Sequence, residues 1–336
     1  MIKSKKERIN WIDLLKGFGI ILVIYGHNSP IIEEYIYSFH MPLFFFIGGL
    51  FHPNQINAEI VKKRAKQILI PYFLWSFLLF LFWFSIGRKF GDSVSLNYSG
   101  LNNFLGIFYA QGGHEYMSWG VPMWFLPAFF LTFLIFGFIR KLKKIKFQIL
   151  ILLASIGIGF LTPRILGMHL LWSLDVSLVS LFFYASAFYL RKIIVNKKTS
   201  KKENLKISIF FILHLVCSLF LLVKVDMYRS IYSNEFLFLT NSSIAICFWV
   251  LIFRKIKEFK ILSFFGKNTI PVLALHIRMV TVIKLFLLLL LGMKVFDFNE
   301  LDRILLVFVQ LTLLYPIIIF INKFLPILNG KSKTRN

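Results

Sequence analysis

Residues 13–30, DLLKGFGIILVIYGHNSP, form an apolar stretch that nevertheless carries ionisable side chains towards both of its ends. The length of this stretch suits one crossing of the roughly 30 Å hydrocarbon core of a bilayer as an α-helix. Asp13 and Lys16 lie near its start, and His27 lies near its end. An ionisable group that faces lipid at depth costs on the order of 3 kcal/mol, so such groups turn towards the protein interior. The stretch therefore predicts a membrane helix with a polar face directed into the protein.

The composition of the whole chain predicts an all-α integral membrane protein. Of its 336 residues, 58% are hydrophobic and only 16% are charged, and its mean hydropathy is +0.74. A soluble domain of this length needs far more polar surface, and no apolar segment shows the period of two that a membrane β-strand requires. We predict ten transmembrane helices, at about 12–29, 36–51, 67–86, 119–139, 147–162, 168–190, 206–224, 236–254, 262–291 and 301–325.

The distribution of charge predicts the orientation of the chain. The net charge is +24, but basic residues cluster in every second loop, for example RKLKKIK at 140–146 and RKIKEFK at 254–260. This clustering is typical of the positive-inside rule and not of a nucleic-acid partner. Both termini are therefore predicted to be cytoplasmic, which requires an even number of spans. The Lys-, Ile- and Asn-rich composition is typical of an AT-rich bacterial genome, so the predicted location is a bacterial cytoplasmic membrane.

The largest predicted external loop, at about 87–118, is rich in Asn, Ser, Gly and aromatic residues. It is long for a simple connector. One interpretation is that it holds a hydroxyl-rich ligand by hydrogen bonds and aromatic faces. The other interpretation is a linker with one interfacial helix at 101–110.

Lys16 and His27 are predicted to share one face of the first helix. Eleven steps of about 100° place His27 roughly 20° past three full turns, about 16 Å further along the axis. Asp13 lies three residues before Lys16 and can pair with it on the same face. Lys16 alone can snorkel to the surface, and His27 alone can be an interfacial residue. Their shared face favours a path through the protein, with a cation at the inner end and a proton acceptor at the outer end.

A second histidine, His40, is predicted close in depth to His27, near the start of the second helix in FHMPLFFFIGGLF at 39–51. Two imidazoles at one depth can form an acid–base pair, because neutral imidazole titrates near working pH. A metal site would need third and fourth ligands, which the sequence does not place nearby.

Other polar residues are predicted within later spans. His276 falls in the ninth span, where Arg278 and Lys284 indicate either a wet cavity or an interfacial boundary. Asp175, in the sixth span, is suited to orient a histidine or to pair with a cation. Trp124, at the outer end of the fourth span, is either a membrane anchor or part of a site.

Six segments along the chain form an ordered set of motifs. In chain order they are the Lys16–His27 spacing after WID at 11–13, FHMPLFFFIGG at 39–49, KKRAKQILIPYFLW at 62–75, MWFLPAFFLTFLIF at 123–136, LDVSLVSLFFYASAFYL at 174–190 and GKNTIPVLALH at 266–276. This set resembles the integral-membrane acyltransferase family 3, and particularly its fucose-4-O-acetylase-like branch. Two positions depart from the family pattern: Gly48 stands where a serine is common, and Gln67 stands where the second arginine of an Arg-x-x-Arg element is usual.

The resemblance implies an enzyme that moves an acyl group, usually acetyl, from coenzyme A in the cytoplasm to a hydroxyl of a cell-surface polysaccharide or lipid-linked sugar. The implied catalytic residues are His27, as general base or transient acyl carrier, with His40 and Asp13. The residues implied to bind acetyl-coenzyme A are Lys16, Lys63, Arg64 and Lys66, and those implied to bind the acceptor are Trp124, Asp175 and His276. The expected partners are acetyl-coenzyme A, a glycan and the lipid bilayer, with no metal and no nucleic acid.

The chain is predicted to be a single membrane domain over residues 1–330, followed by a short basic cytoplasmic tail at 331–336. Two other classes of function stay open. A transporter or flippase for a glycan or acyl-bearing solute would also use ten spans and a histidine-lined path, although no half-to-half repeat is evident. A non-catalytic scaffold leaves the shared face of Lys16 and His27 unexplained.

Overall fold

The computed structural model of the protein describes residues 9–89, 92–196, 201–293 and 296–331. The basic residues before Ile9 and all of the predicted tail after Lys331 lie outside these ranges. Within the described residues the chain is α-helical apart from short 3₁₀ turns and one hairpin of two-residue strands. The predicted all-α fold is confirmed.

Fourteen α-helices and two strands make up the described fold. The helices are α1 (Asn10–Gly26), α2 (Glu33–Leu50), α3 (Ala58–Ser85), α4 (Asp92–Ser95), α5 (Gly100–Tyr109), α6 (Gly113–Met117), α7 (Phe125–Ile139), α8 (Ile145–Leu166), α9 (Leu174–Asn196), α10 (Lys201–Phe220), α11 (Glu235–Lys255), α12 (Lys260–Gly266), α13 (Thr269–Leu291) and α14 (Glu300–Phe324). The strands are β1 (Val225–Asp226) and β2 (Ile231–Tyr232), which pair antiparallel.

Eight helices within the described residues are long and apolar enough to cross a membrane. They are α3, α7, α8, α9, α10, α11, α13 and α14. Helix α1 has 17 residues, a length of about 26 Å, and α2 opens with Glu33 and Glu34. The ten predicted spans include α1 and α2, so ten crossings stay a prediction.

The loops that are rich in Lys and Arg lie at one end of the helix bundle. We call this end, which carries the start of α1 and the end of α14, the basic end, and the opposite end the far end. The loops α7–α8 and α11–α12 at the basic end contain the RKLKKIK and RKIKEFK runs. The positive-inside rule predicts that the basic end faces the cytoplasm.

Helix α1 lies at the centre of the bundle, in contact with α2, α11, α12, α13 and α14. The predicted ninth span at 262–291 is divided in two, because α12 ends at Gly266 and α13 begins at Thr269. Asn268, between the two helices, is buried and donates from its side chain to the carbonyl of Phe264. The predicted span is therefore interrupted at Asn268, and the break positions α12 directly against α1.

The described part of the long far-end loop is folded. The helix that one of the two interpretations placed at 101–110 is present as α5. The buried Asn103 side chain donates to the carbonyl of Glu115 at 2.8 Å and accepts from the backbone N–H of Ser118 at 2.8 Å. The indole of Trp119 donates to the carbonyl of Asn103 at 2.9 Å. These long-range hydrogen bonds fix the segment that leads into α7.

Candidate functional site

A cavity of about 200 Å³ lies at the far end of the bundle, between α1, α2, α13, the turn before α7 and the β1–β2 hairpin. Its lining includes the histidines His27, His40 and His114 and the aromatic residues Trp124 and Tyr228. The structure thus places His27 and His40, which the sequence predicted at one depth, in one cavity with Trp124. His114 and Tyr228 are additional.

His27 is the first residue after α1, and its side chain is exposed to the cavity. Its ring lies 5.1 Å, centroid to centroid, from the ring of His276 on α13. His276 is fully buried behind Leu273 and Ile277, which line the cavity. His27 is therefore accessible to a ligand and has a second imidazole directly behind it.

The hydrogen bonds of His40 and His276 fix which ring nitrogen carries the proton. The Nδ1 atom of His40 lies 2.7 Å from the carbonyl of Ile36, and that of His276 lies 3.0 Å from the carbonyl of Val272. A carbonyl only accepts, so Nδ1 is the donor in both rings and Nε2 holds the lone pair of the neutral imidazole. Nε2 of His276 is buried and has no hydrogen-bond partner among the described residues. Within the same residues, no group of three or more His, Cys, Asp or Glu side chains is arranged to hold a metal ion.

A buried amide ties the histidine pair to α14. Gln310 is fully buried and accepts from the side chain of Asn28 at 2.8 Å. Its own amide donates to the carbonyl of His276 at 2.9 Å. Asn28 directly follows His27, so Gln310 links the end of α1 to the N-terminal part of α13.

Asp13 and Lys16 lie at the opposite end of α1 from His27. Lys16 Nζ is 2.8 Å from a carboxylate oxygen of Asp13, which is buried while Lys16 stays a quarter exposed. The predicted ion pair is present, but it does not reach the far-end cavity. Asp13 is therefore placed to hold the cation of Lys16 and not to touch His27.

A second, smaller cavity of about 30 Å³ lies beside the far-end cavity, on the side of the basic end. The two cavities share Val23, Met41 and Leu273 in their linings. The inner cavity reaches Ile20, one turn from Lys16, and Thr269 at the start of α13. Two neighbouring cavities therefore lie beside α1, and the smaller one extends as far as Ile20.

The outer wall of the far-end cavity is aromatic. The rings of Trp124 and Tyr228 lie 5.7 Å apart at an interplanar angle of 32°. The hydroxyl of Tyr228 accepts from the backbone N–H of Gly113 at 2.7 Å. Burial raises the pKa of Tyr228 above its ordinary value, so it is a neutral hydrogen-bonding group. Arg229, exposed beside it on the hairpin, also lines the cavity.

Asp175 supports this wall from behind. It is fully buried in the first turn of α9 and accepts from the hydroxyl of Ser230 at 2.9 Å. It also contacts the ring of His169 at 3.0 Å and accepts from the backbone N–H of Leu170 at 3.4 Å. The residue thus contacts a histidine, but it anchors the hairpin and does not line the cavity.

The basic residues predicted for donor binding lie near the start of α3, at the basic end. Lys63 and Lys66 are exposed, whereas Arg64 is half-buried with its guanidinium carbon 5.4 Å from the ring centroid of Phe133. The three side chains therefore do not share one environment. Arg64 alone is turned into the helix packing.

The guanidinium of Arg278 holds the segment that carries Trp124. It donates to the carbonyls of Ser118 and Trp119, both at 2.8 Å and both in buried residues. We expect Arg278→Met to lower the free energy of unfolding by about 2 kcal/mol or more, since buried acceptors without donors cost about 1–3 kcal/mol each. Thermal unfolding in detergent measures the change. Lys284→Met removes a cation from the same helix, where Lys284 lies over Phe296, and equal losses from both variants would contradict this assignment.

In comparisons with known proteins, a family model matches nearly the whole chain and a curated relative matches a short segment of it. The family model described as "Acyltransferase domain" matches residues 9–327. Nodulation protein NolL of Sinorhizobium fredii (strain NBRC 101917 / NGR234) is 36% identical over 85 residues, which is 20% of this chain and 23% of that protein. The alignment thus spans about a quarter of that relative. No solved structure matches the chain.

Proposed function

The chain belongs to the acyltransferase domain family, and we propose that it is a membrane O-acetyltransferase that uses acetyl-coenzyme A. The proposed acceptor is a hydroxyl group of a cell-surface polysaccharide or of a lipid-linked sugar. The proposed location is a bacterial cytoplasmic membrane, with the basic end in the cytoplasm. Membership of the fucose-4-O-acetylase-like branch, predicted from motifs such as GKNTIPVLALH, is part of the same proposal.

The observation that carries the proposal is the position of His27. It is exposed in a cavity at the far end, and a smaller apolar cavity lies beside that one, on the side of the end where Lys16 lies. The pantetheine arm of coenzyme A is long and thin, while its phosphates are anionic and stay in water. A donor that approaches from the basic end and an acceptor that approaches from the far end would meet at His27.

The proposed reaction needs one proton acceptor and one proton donor. A sugar hydroxyl is a weak nucleophile until a base removes its proton, and the exposed imidazole of His27 is placed to do so. The hydroxyl oxygen forms a bond to the thioester carbonyl carbon, the carbon–sulfur bond breaks, and the sulfur leaves with the proton that the imidazole took. The alternative route, in which His27 carries the acetyl group transiently, uses the same atom in a covalent step.

The neighbouring histidines support either route. When His27 becomes protonated or acetylated, the unpartnered Nε2 of His276 lies in the adjacent ring. A neutral imidazole there can accept a hydrogen bond from an imidazolium and thereby stabilise it. His40, with Nε2 as its acceptor and its ring stacked on Tyr37, is placed on the wall of the same cavity.

The proposed acceptor site is the wall formed by Trp124 and Tyr228. The apolar faces of sugar rings pack well on aromatic side chains, and their hydroxyls need polar partners. Trp124 offers such a face, and the Tyr228 hydroxyl and the Arg229 guanidinium lie beside it. At the other end, Lys16, Lys63, Arg64 and Lys66 are the proposed cations for the donor.

The experiment that tests the function supplies acetyl-labelled acetyl-coenzyme A to membranes that contain or lack the protein. Transfer predicts label in the glycan fraction only when the protein is present, and mild base should release it because an acetyl ester is base-labile. A transporter or flippase instead predicts movement of an intact solute without an acyl donor and without labelled glycan. That second result would reject the proposed enzyme.

Trp124 should contribute mainly to acceptor binding. We expect Trp124→Ala to raise the apparent KM for the glycan about tenfold, because truncating a buried aromatic anchor commonly costs more than 1 kcal/mol. The KM for acetyl-coenzyme A should stay within about twofold. Trp124→Phe keeps an aromatic face and should recover most of the loss. Steady-state kinetics with each substrate varied in turn measures both KM values. A rise in the KM for acetyl-coenzyme A alone would contradict the assignment.

A further inference from the structure

Three arginines from separate segments of the chain surround one buried histidine at the basic end. His52, just after α2, is 1% exposed, and its Nδ1 atom lies 3.0 Å from the hydroxyl of Tyr184. The arginines are Arg64 on α3, Arg140 directly after α7 and Arg191 on α9. The Nε2 atom of His52 is buried and has no hydrogen-bond partner among the described residues.

Two aromatic rings connect these cations to His52. The guanidinium carbon of Arg64 lies 5.4 Å from the ring centroid of Phe133, and the ring of His52 lies 5.1 Å from the same centroid. The carbons of Arg140 and Arg191 lie 4.8 Å and 4.2 Å from the centroid of Phe188, which is 5.8 Å from the ring of His52. A guanidinium that stacks on a ring keeps its N–H edge for planar hydrogen bonds, so the rings hold all three groups ready for an anion.

Among the described residues, the hydrogen-bond partners of these arginines are neutral groups. Arg140 donates to the amide oxygen of Gln148 at 2.8 Å, and Arg191 donates to the carbonyl of His52 at 2.6 Å and to the side chain of Asn54. The ion pairs formed by the described residues involve other cations. Each guanidinium has five donors, and Nε of Arg140 is buried without a partner.

The electrostatics of the cluster favour an anion. Burial, and then the charges of Arg64, Arg140 and Arg191, lower the pKa of His52 to about 3. The imidazole is therefore neutral near pH 7 and adds no fourth charge. When Tyr184 donates to Nδ1, the proton of the neutral ring lies on Nε2, which is then a donor without an acceptor.

We propose that Arg64, Arg140 and Arg191, together with His52, form a binding site for phosphate groups. This inference rests on the proposed function, under which the phosphates are those of coenzyme A at the cytoplasmic face. Planar, bidentate recognition of phosphate is the chemistry for which arginine is best suited. This site differs from the donor site predicted from the sequence. It contains Arg64 but not the exposed Lys63 and Lys66, and its other two cations are Arg140 and Arg191, which are distant in sequence.

The test compares the loss of each arginine with the loss of the lysine that directly follows it, so that both variants remove one positive charge. Arg140→Gln is matched by Lys141→Gln, and Arg191→Gln is matched by Lys192→Gln, because both lysines are exposed neighbours. We expect each arginine variant to lower kcat/KM for acetyl-coenzyme A tenfold or more and each lysine variant to change it less than twofold. With S-acetylpantetheine, which has no phosphate, wild type and all four variants should be equal. Equal losses in both members of a pair, or equal losses with both donors, would overturn the site.

A binding measurement separates this inference from the proposed function. The shift in thermal midpoint caused by coenzyme A is measured in nanodiscs of neutral lipid without an acceptor. A shift in wild type and the lysine variants, but not in Arg140→Gln or Arg191→Gln, supports the site even if no acetyl transfer is found. Nanodiscs with anionic lipid test the other source of phosphate, and stabilisation by that lipid alone would assign the site to a headgroup. If neither phosphate source stabilises wild type more than the arginine variants, the site does not exist.

Discussion

His27→Ala is expected to reduce acetyl transfer by about a hundredfold to ten-thousandfold, the usual contribution of a positioned general base. His27 is exposed in the far-end cavity, and the imidazole ring of His276 lies 5.1 Å from its ring. The folded protein should persist, since an exposed side chain leaves no buried void when it is truncated. Label transfer from acetyl-coenzyme A to glycan, normalised to folded protein, measures the effect.

A histidine away from the cavity supplies the matched control. His214 contacts the hydroxyl of Tyr35 at 2.8 Å between α2 and α10, outside the cavity lining. His214→Asn should therefore keep transfer within a few fold of wild type. Because the far-end cavity leaves room beside residue 27, added imidazole should restore part of the activity of His27→Ala. Full activity of His27→Ala would remove this residue from the chemistry.

The two routes at His27 predict different trapped species. If His27 carries the acetyl group, rapid quenching without acceptor should leave label on the protein, and His27→Ala should abolish it. If His27 acts only as a base, no protein-bound label should accumulate. Both results are compatible with the proposed overall reaction, so this measurement decides the mechanism and not the function.

The sequence was sufficient for the features that depend on local pattern. Hydropathy and length placed the bounds of α11 and α14 to within one residue, whereas α3 begins at Ala58, well before the predicted residue 67. Helix α5 was found inside the external loop. The pairing of Asp13 with Lys16 followed from helix geometry, because side chains three residues apart lie on one face. These features depend on short-range periodicity, which a single sequence contains.

The features that were missed depend on contacts between distant segments. Tyr228 and Arg229 line the cavity because Asp175 holds Ser230, 55 positions away, and because Gln111 donates to the carbonyl of Tyr228 at 2.9 Å. Their loop has no motif that indicates a site. The break at Asn268 was also missed, since the apolar run continues across it. Hydrogen bonds from the distant Asn322, Asn329 and Lys331 to the Asn268 side chain mark the turn.

The same limit applies to the cations at the basic end. A basic run next to Arg64 suggested that Lys63 and Lys66 act with it, because they are neighbours along the chain. In the helix they are exposed, whereas Arg64 turns towards Phe133. Consecutive side chains on a helix differ in direction by about 100°, so the sequence alone could have predicted that Arg64 points away from its lysine neighbours. The sequence could not predict that Arg140 and Arg191 lie near Arg64 in the fold.

Gly266→Ala is expected to lower the free energy of unfolding by more than about 3 kcal/mol, and folded protein should be recovered poorly. A Cβ atom at Gly266 would lie 1.8 Å from the carbonyl oxygen of Asp13 and 2.8 Å from the backbone nitrogen of Gly17. Both are backbone atoms, so no rotamer change relieves the overlap, and overpacking usually costs about 1–3 kcal/mol even where side chains can move. Small residues at a helix–helix contact are what permit such close backbone approach in membranes.

The matched control is Gly157→Ala on α8, where a Cβ atom meets nothing within 4 Å. This change should be neutral or stabilise the protein by about 0.5–1 kcal/mol, because alanine favours a helix over glycine. Thermal midpoints and the yield of monodisperse protein in detergent compare the two variants. If Gly266→Ala matched Gly157→Ala, α12 would not be packed on α1 as the structure shows. The consequence extends to function: α12 leads through Asn268 into α13, so moving α12 away from Asp13 would also displace His276 from His27.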